Sequence, residues 1–373
     1  MARRLYLHIG TPKSATTYLQ DLCGHNAHVL AAAGILWPLG DRYAPIRDLL
    51  GTREAAEDAG AWSDLSDQVR RHHGDVVFSN EVLVALDVRQ IGRLVTAVSS
   101  TDVWVIITAR DLGRVMPSYW QTKIRQGGTT GWTEFAASVC TDPPAAGGAR
   151  RREASAQDRV VRVDRRRDRF WLKHDVAAVI DRWSQAVSAE RITLVTVPPP
   201  GGDREEVARR FGSTVGADLV GLRQPEGPSN RSLGAHSAEL MRRLSQDMTG
   251  IDRTVRKYGF RDALGMTVLT SHADEEPTYA LSPAQQGWVR GRAQRMVDEI
   301  RAAGVRVEGD LGDLISEADP PPGAVDPAAT PDAALLQAAE RGLIGMVRAV
   351  AEMRGERDDL RAQLDSLRAR FGA

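Results

Sequence analysis

The segment LYLHIGTPKSATTYLQ, residues 5–20, decides the fold of this chain. Its apolar first part, Leu5 to Ile9, predicts a buried strand, and a helix is predicted to begin near Thr16. The turn between them reads Gly-Thr-Pro-Lys-Ser-Ala-Thr-Thr. A strand that enters a helix through a short polar turn predicts an α/β fold, and this turn has the composition of an anion-binding loop.

The turn combines a helix N-terminus with several polar side chains. The first N–H groups of a helix lack intrahelical partners, and the positive end of the helix dipole points at the preceding loop. Lys13 adds a full positive charge, and Ser14, Thr16 and Thr17 add hydroxyl donors. We therefore expect a phosphate or phosphate-like group here. The alternative is an ordinary Ser/Thr helix cap, which accounts for one hydroxyl and leaves the others unexplained.

The spacing of this turn argues against ATP or GTP hydrolysis. A Walker A motif, GxxxxGK[ST], places its Lys six residues after the first Gly, whereas Lys13 follows Gly10 by three. Lysine is also scarce in a chain that uses arginine almost everywhere, which favours a specific role for the compact ammonium of Lys13.

A second strand with a basic residue at its end lies about ninety residues further on. The segment VWVIITARDLGRVMPSYWQ predicts a buried strand from Val103 to Thr108, then Arg110-Asp111, then a helix that carries Ser118. A solvated helix start is the alternative reading of Arg-Asp alone. Because ligands of open α/β sheets bind at the carboxyl ends of the strands, we expect both loops to face one ligand.

The segment DVVFSNEVLVAL, residues 75–86, predicts a third buried strand that ends just before Asn80-Glu81. Glu81 would lie in a first helical turn, where an acidic residue is most often a surface residue that complements the dipole. Its functional reading is a general base that takes the proton of an acceptor hydroxyl. His8 is the second candidate for the base, although a single His inside a strand is more often a satisfied core residue.

The motif TPKSATTYLQ resembles the 5′-phosphosulfate loop of the sulfotransferases that use 3′-phosphoadenosine 5′-phosphosulfate (PAPS). In that family the loop reads Pro-Lys-Ser/Thr-Gly-Thr-Thr/Ser, followed by an aromatic residue and Leu, so Ala15 stands where a Gly is customary. If this position needs a positive φ, Ala15 strains the loop. The resemblance covers roughly residues 5–315, but its specific motifs lie in the first 120 residues.

The resemblance implies roles for particular residues. Arg110 and Ser118 have the spacing of the family's pair that binds the 3′-phosphate, and carbohydrate- and tyrosine-directed members use a Glu near the stage of Glu81 as the base. Lys13 would stabilise charge on the bridging oxygen. The predicted acceptor pocket includes Trp120, Trp171 and His174. The predicted nucleotide-binding residues are Gly10, Thr11, Pro12, Lys13, Ser14, Ala15, Thr16, Thr17, Arg110 and Ser118.

Composition narrows the classes of partner. The 373 residues carry no net charge, which gives no support to a nucleic-acid partner. Cys23 and Cys140 are too few and too far apart for a disulfide framework, and no His/Cys cluster predicts a metal. We predict no signal peptide and no membrane span, because no apolar stretch is long enough. A reduced, cytoplasmic setting is expected.

Strands alternate with helical patterns along the chain, which predicts a parallel sheet with helices on both faces, a three-layer, P-loop-like α/β fold. The fourth strand is predicted at Ile192–Val197, preceded by a helix from Asp175 to Ala186. A long amphipathic helix is predicted from Pro283 to Gly304. The predicted domain spans residues 1–317 with a flexible Arg-rich insertion at 145–169, and a Pro-rich linker follows at 318–332.

The predicted C-terminal helical tail, residues 333–373, has the pattern of a short coiled coil. Its apolar residues recur at steps of three, four or seven, which match a and d heptad positions, and Arg357 is the one breach. A helix folded back on its own domain is equally compatible, so a homodimer is one of two options. The positions concerned are Leu343, Met346, Val350, Met353, Leu360, Leu364, Leu367 and Phe371.

These observations predict a PAPS-dependent sulfotransferase that needs no metal and acts on a hydroxyl of a carbohydrate or small molecule. Two other classes stay open. One is a nucleotide kinase with a degenerate phosphate loop, which the absence of a Gly-Lys-Ser/Thr turn disfavours. The other is a non-catalytic scaffold in which the coiled-coil tail carries the function and the nucleotide fold is vestigial.

Overall fold

The computed structural model describes residues 3–51, 57–99, 101–141, 165–201, 203, 205–224, 232–248, 250–315 and 322–371. Within them lies one six-stranded sheet in which every pair of neighbouring strands is parallel. The spatial order is β2-β3-β1-β4-β5-β6. The strands are β1 Arg4–His8, β2 Ile35–Leu36, β3 Asp75–Ser79, β4 Asp102–Ala109, β5 Ile192–Thr196 and β6 Arg306–Glu308.

The four longer strands lie where the sequence predicts them, to within a residue or two. All five residues of β3 and of β5 are buried, as expected for strands covered on both faces of a parallel sheet. β2 and β6, the edge strands, have two and three residues and were not predicted. Such short pieces carry no detectable alternation of apolar and polar residues.

The helices follow the strands in the order expected for an α/β fold. α9 and α13 lie within a few residues of their predicted bounds. The helices are α1 Thr16–His25, α2 Ala27–Ala32, α3 Ala44–Leu50, α4 Ala61–Arg71, α5 Val88–Ala97, α6 Leu112–Arg125, α7 Trp132–Val139, α8 Arg165–His174, α9 Val176–Ser184, α10 Glu206–Val215, α11 Ala235–Asp247, α12 Arg253–Val255, α13 Pro283–Ala303 and α14 Asp332–Phe371.

Helices cover both faces of the sheet. Tyr6, Val77 and Ile106 face one way, where α1, α2 and α10 pack on them through residues such as Leu22 and Phe211. The alternate strand residues face the other way; among them Leu5, Leu7 and Phe78 meet Leu65 and Val69 of α4 around a small apolar cavity. The predicted three-layer α/β fold with a central parallel sheet and a helical tail is therefore confirmed.

The chain forms two compact units. The first contains the sheet and comprises Met1–Met116, Ala137–Glu226 and Pro283–Asp319. The second comprises Pro117–Ala136, Gly227–Ser282 and Pro320–Ala373. The predicted tail and the described part of the predicted linker thus belong to the same compact unit as residues 117–136 and 227–282. The sequence analysis instead places boundaries after residues 317 and 332.

The described part of the second unit is helical. α11 begins where the buried Glu276 carboxylate accepts hydrogen bonds from the Ser237 N–H (2.8 Å) and hydroxyl (2.6 Å). A π-helix, Arg256–Val268, follows α12 directly. Residues 322–331 pack within this unit; the Val325 N–H donates to Thr278 O at 2.9 Å, and Pro327 is buried.

Two sequence predictions, the insertion and the linker, fall partly outside the described residues. Residues 145–164 of the predicted insertion lie outside them, and residues 165–169 begin α8. Residues 318–321 of the predicted linker also lie outside. Among the residues that the structure describes, no helix combines the length and the apolar character needed to cross a bilayer.

Candidate active site

Three neighbouring strands of the first unit bring the predicted site residues to one edge of the sheet. β1 lies between β3 and β4, so their carboxyl ends meet, and hydrogen bonds continue past the strands. The Ile9 N–H donates to Ile106 O (2.9 Å), the Thr11 N–H to Thr108 O (2.8 Å) and the Asn80 N–H to His8 O (2.9 Å). The strand order reverses direction at β1, which is where open α/β sheets bind ligands.

The loop after β1, residues 10–15, has an unusual backbone. Gly10, Lys13 and Ala15 have positive φ values of 48°, 70° and 62°. A Cβ at residue 10 would lie 2.5 Å from Thr16 Oγ1, so the glycine is required both for its conformation and for space. Left-handed residues in a short turn direct successive N–H groups toward one point, as in anion-binding loops. The strain anticipated for Ala15 is present.

The end of this loop is the N-terminus of α1. Ala15 is the N-cap residue, and no side chain in the described structure caps the helix. Thr16 is buried, and its Oγ1 has no hydrogen-bond partner among the described residues. Since buried hydroxyl groups are nearly always hydrogen-bonded, an open helix N-terminus beside an unsatisfied hydroxyl fits an anionic group. Thr17 is exposed on the next position.

The hydroxyl of Ser14, which the sequence analysis expected to donate to the anion, points inward, as does the hydroxyl of Thr11. The Ser14 hydroxyl donates to Thr11 O and lies 2.9 Å from Thr108 Oγ1. The Thr11 hydroxyl donates to Thr108 O at 3.1 Å. Ser14 and Thr11 are therefore buried supports of the loop, because their oxygens are already engaged by the protein. Lys13 and Pro12 are half-buried.

His8 belongs to the same buried polar chain. Its Nδ1 lies 2.8 Å from Ser79 Oγ and its Nε2 3.1 Å from Thr108 Oγ1, and its ring edge meets Phe211 at 4.9 Å between ring centres. Burial lowers the pKa of His8 to about 3, so the ring is neutral at physiological pH. This position gives no support to His8 as the base, because both ring nitrogens are engaged in the core.

The turn after β4 places Arg110 at the same edge. The Asp111 carboxylate accepts from the Arg114 N–H at 2.9 Å and pairs with the Arg114 guanidinium, which also reaches Pro198 O. The Arg110 Nε is buried and finds no acceptor in the described part of the chain. Burial and then the nearby Arg114 charge lower the pKa of Arg110 to about 10, against the opposing effect of Asp111, so it stays a cation at neutral pH.

Ser118, the predicted partner of Arg110, lies in the second turn of α6. It is half-buried, and its carbonyl accepts from the Thr122 hydroxyl at 3.0 Å. The division of the chain into units passes through α6 between Met116 and Pro117, so Ser118 belongs to the second unit. Its contact with a 3′-phosphate stays a prediction.

The turn after β3 presents Glu81. Asn80 is buried; its side-chain oxygen accepts from the Val82 N–H at 2.9 Å and its amide donates to Arg42 O at 2.6 Å. Glu81 opens a short 3-10 helix, Glu81–Ala85, and is half-buried at this edge. The carboxylate is therefore held on a fixed turn one strand away from the β1 loop.

Three residues around the Glu81 turn were not predicted to belong to the site. Lys173 is half-buried, and burial lowers its pKa although the Glu81 charge raises it. Arg182 joins their two elements, since its guanidinium donates to Val84 O at 3.0 Å and to Leu172 O at 2.6 Å. The pKa of Tyr43 is raised, mainly by burial and then by the negative charge of Glu81.

The predicted acceptor-binding aromatic residues are core residues. Trp120 donates from Nε1 to Thr130 O at 2.9 Å and packs edge-on against Trp132 in the second unit. Trp171 donates to Val139 O at 3.2 Å, and His174 packs on Phe170 with ring centres 4.5 Å apart, both in the first unit. Trp120, Trp171 and His174 are all buried, and their contact with an acceptor stays a prediction.

Both cysteines lie among the described residues. Cys23 is buried and Cys140 half-buried, both are unpaired, and burial raises the pKa of each thiol to about 12. Among the described residues no cluster of His, Cys, Asp and Glu has the arrangement of a metal site.

Sequence reasoning missed the polar chain that supports the loop. Gln20 donates to Ser79 Oγ at 3.0 Å. From there hydrogen bonds link Ser79 to His8, His8 to Thr108 and Thr108 to Ser14, so the chain crosses three strands. The available signal was polar residues in apolar strands and a Gln on the buried side of α1.

Comparison with known proteins adds no assignment: no family model, curated protein or solved structure matches this chain.

Proposed function

We propose that the protein is a sulfotransferase that moves a sulfuryl group from PAPS to a hydroxyl of a carbohydrate or other small molecule. One observation carries the proposal: the carboxyl ends of β3, β1 and β4 present, side by side, a carboxylate, an open helix N-terminus with Lys13, and an arginine. Adjacent strands lie about 4.8 Å apart, so a mononucleotide spans these three positions.

The residues present fit the nucleotide. The unsatisfied Thr16 Oγ1 and the left-handed backbone at residues 13 and 15 suit a 5′-phosphosulfate, and the unpartnered Arg110 Nε suits a 3′-phosphate. Bound PAPS would supply the activated sulfuryl group. Thr17 and the backbone N–H groups of Gly10 and Ser14 would complete the cradle.

The protein's own groups would do two further things. Lys13 would place a positive charge beside the oxygen that gains charge during the transfer. Glu81 would take the proton of the acceptor hydroxyl, with Asn80 and Arg182 holding its turn in position. A cytoplasmic setting, expected because the chain carries two unpaired cysteines, belongs to the same proposal.

Thermal unfolding with three nucleotides tests the proposal. Adenosine 3′,5′-bisphosphate should raise the unfolding temperature far more than AMP or ATP at equal concentration, because only the bisphosphate occupies both anion positions. A labelled PAPS screen over sugar, phenol and lipid hydroxyls then identifies the acceptor. Equal shifts with ATP and the bisphosphate would favour a kinase, and no shift with any nucleotide would favour a scaffold.

A further inference from the structure

The C-terminal helix α14 consists of two parts with different surroundings. Its first part packs against α11 and the π-helix of the second unit, with Leu335, Ala338 and Gly342 buried. The approach is close: a Cβ at Gly345 would lie 2.2 Å from Val268 Cγ1. From residue 350 to residue 370, which we term the exposed segment, every side chain is exposed.

The exposed segment carries an apolar stripe. Val350, Met353, Leu360, Leu364 and Leu367 occupy a and d positions of a heptad repeat, at steps of three, seven, four and three, with Arg357 at the a position between Met353 and Leu360. Leu360 is 64% exposed and Leu367 48% exposed, which is costly for large aliphatic side chains placed along one line. The stripe begins at Leu343, also exposed, so it runs beside the docked part as well.

The exposed segment lacks the contacts that normally stabilise a helix. Most helical stability in proteins comes from packing of an apolar face, which this segment does not make within the described chain, and Gly355 at a solvent-side f position weakens it further. The continuous backbone of α14 through Phe371 therefore calls for a partner along the stripe.

Charge selects the kind of partner. Acidic and basic residues balance within the exposed segment, so it lacks the basic face of a helix that binds anionic membranes or nucleic acid. The a and d positions recur on average every 3.5 residues, whereas a straight α-helix has 3.6 residues per turn. This period is typical of a helix that supercoils around a second helix with the same heptad pattern. We propose that the exposed segment forms a parallel, two-stranded coiled coil with the same segment of a second copy of this chain, independently of the enzymatic activity.

The flanking charges determine the orientation. With Val350 at a, the e positions of the exposed segment are Arg354, Arg361 and Arg368, and Glu356 is a g position. In a parallel pair each Glu356 faces the partner's Arg361, which gives two attractive contacts by symmetry. In an antiparallel pair e positions face e positions, so arginine meets arginine. Parallel association is therefore favoured.

Arg357 at an a position fits the same arrangement. In the single chain its guanidinium pairs with the exposed Asp358 at 2.7 Å. In the parallel pair its aliphatic stem packs across the seam while its head group reaches the partner's Glu356, and one such polar a position specifies register and two-strandedness at a cost in affinity.

Sedimentation of the full-length chain tests the association. We expect a dimer at tens of micromolar, and the double variant Leu360→Glu/Leu364→Glu should be monomeric. Both leucines are exposed in the single chain, so its fold should be unchanged by circular dichroism apart from the exposed segment. The matched control Ala362→Glu/Ala369→Glu adds the same charge at f positions and should remain dimeric. A monomeric wild-type chain overturns the proposal, as does a control that dissociates equally.

Charge reversal tests the orientation. Glu356→Arg alone should raise the dimer dissociation constant roughly tenfold by replacing two attractive contacts with repulsive ones. Adding Arg361→Glu should recover part of the lost affinity, because the pairs between positions 356 and 361 are re-formed with reversed signs while Arg357 still faces an arginine. Failure of the second change to recover any affinity would overturn the parallel arrangement. Arg357→Leu should tighten association, and weaker association would contradict the assigned register.

Discussion

The β1 loop and the two turns beside it use opposite means to build one edge of the sheet. In the loop, the Ser14 and Thr11 hydroxyls point inward, and the backbone is left-handed at Gly10, Lys13 and Ala15. In the flanking turns, Asn80 and Asp111 fix the backbone, while Glu81 and Arg110 are left at the edge. This difference teaches that buried hydroxyls fix the shape of the loop, whereas the flanking turns hold one charged side chain each, so substitutions of the supports and of the charges should have different effects.

Changing the carboxylate of the β3 turn should give the largest effect. Glu81→Gln keeps the shape and removes the base, so turnover of the acceptor should fall roughly 10²–10⁴-fold. Affinity for adenosine 3′,5′-bisphosphate and the unfolding temperature should stay near wild type. The matched control Glu190→Gln, at an exposed position of the same unit, should keep full activity. An active Glu81→Gln enzyme would show that another group takes the proton.

Removing the arginine of the β4 turn should weaken binding without loss of stability. Charge-assisted hydrogen bonds contribute about 1.5–3 kcal/mol, so Arg110→Ala should weaken the bisphosphate roughly 10- to 100-fold and leave AMP unaffected. Because the Arg110 Nε is buried without a partner in the described chain, the ligand-free variant should be as stable as wild type or more so. Calorimetry with both nucleotides measures this, with Arg89→Ala as an exposed control. Unchanged selectivity would remove Arg110 from the site.

A change in the supports of the loop should act on stability instead. The folded pKa of His8, about 3, lies far below its unfolded value near 6.5, so the unfolded chain binds the extra proton between these values. Its contribution is present above pH 6.5 and decreases as pH falls, by about 2 kcal/mol at pH 5. Denaturant unfolding at several pH values should show this slope in wild type and lose it in His8→Asn. If that variant does not fold, the ring resonances of wild-type His8 should still report a neutral imidazole at pH 5, and a protonated ring there would contradict the assignment.

Relief of the left-handed backbone should give the smallest effect. Ala15→Gly should stabilise the protein by about 1 kcal/mol, because an alanine pays a steric penalty at φ 62° that a glycine does not. Ala31→Gly, at an ordinary helical position of α2, should destabilise it by a similar amount. Differential scanning calorimetry of both variants decides. Two changes of the same sign would mean that the loop is not strained at this position.

The sequence contains enough to predict the sheet and its order of elements, because long apolar strands and the β1 motif have strong local signals. Ala15 could be marked as a strained position from the motif alone. The inward rotation of Ser14 could not, since its orientation depends on Thr108, which is distant in sequence. Likewise, the heptad pattern predicts the C-terminal helix, whereas the docking of Gly342 and Gly345 depends on the shape of the π-helix.

The polar chain through His8 also protects the sheet against errors of strand pairing. His8 is the register partner of Ser79 on β3. A slip of one residue would turn the Ser79 hydroxyl to the opposite face and leave a buried imidazole nitrogen unsatisfied, at a cost of about 1–3 kcal/mol. The other residues of these three strands are largely apolar and offer little to distinguish one alignment from the next. A histidine and its hydroxyl neighbours therefore give these strands a unique alignment, a contribution to folding fidelity that a hydrophobic residue at position 8 would not make.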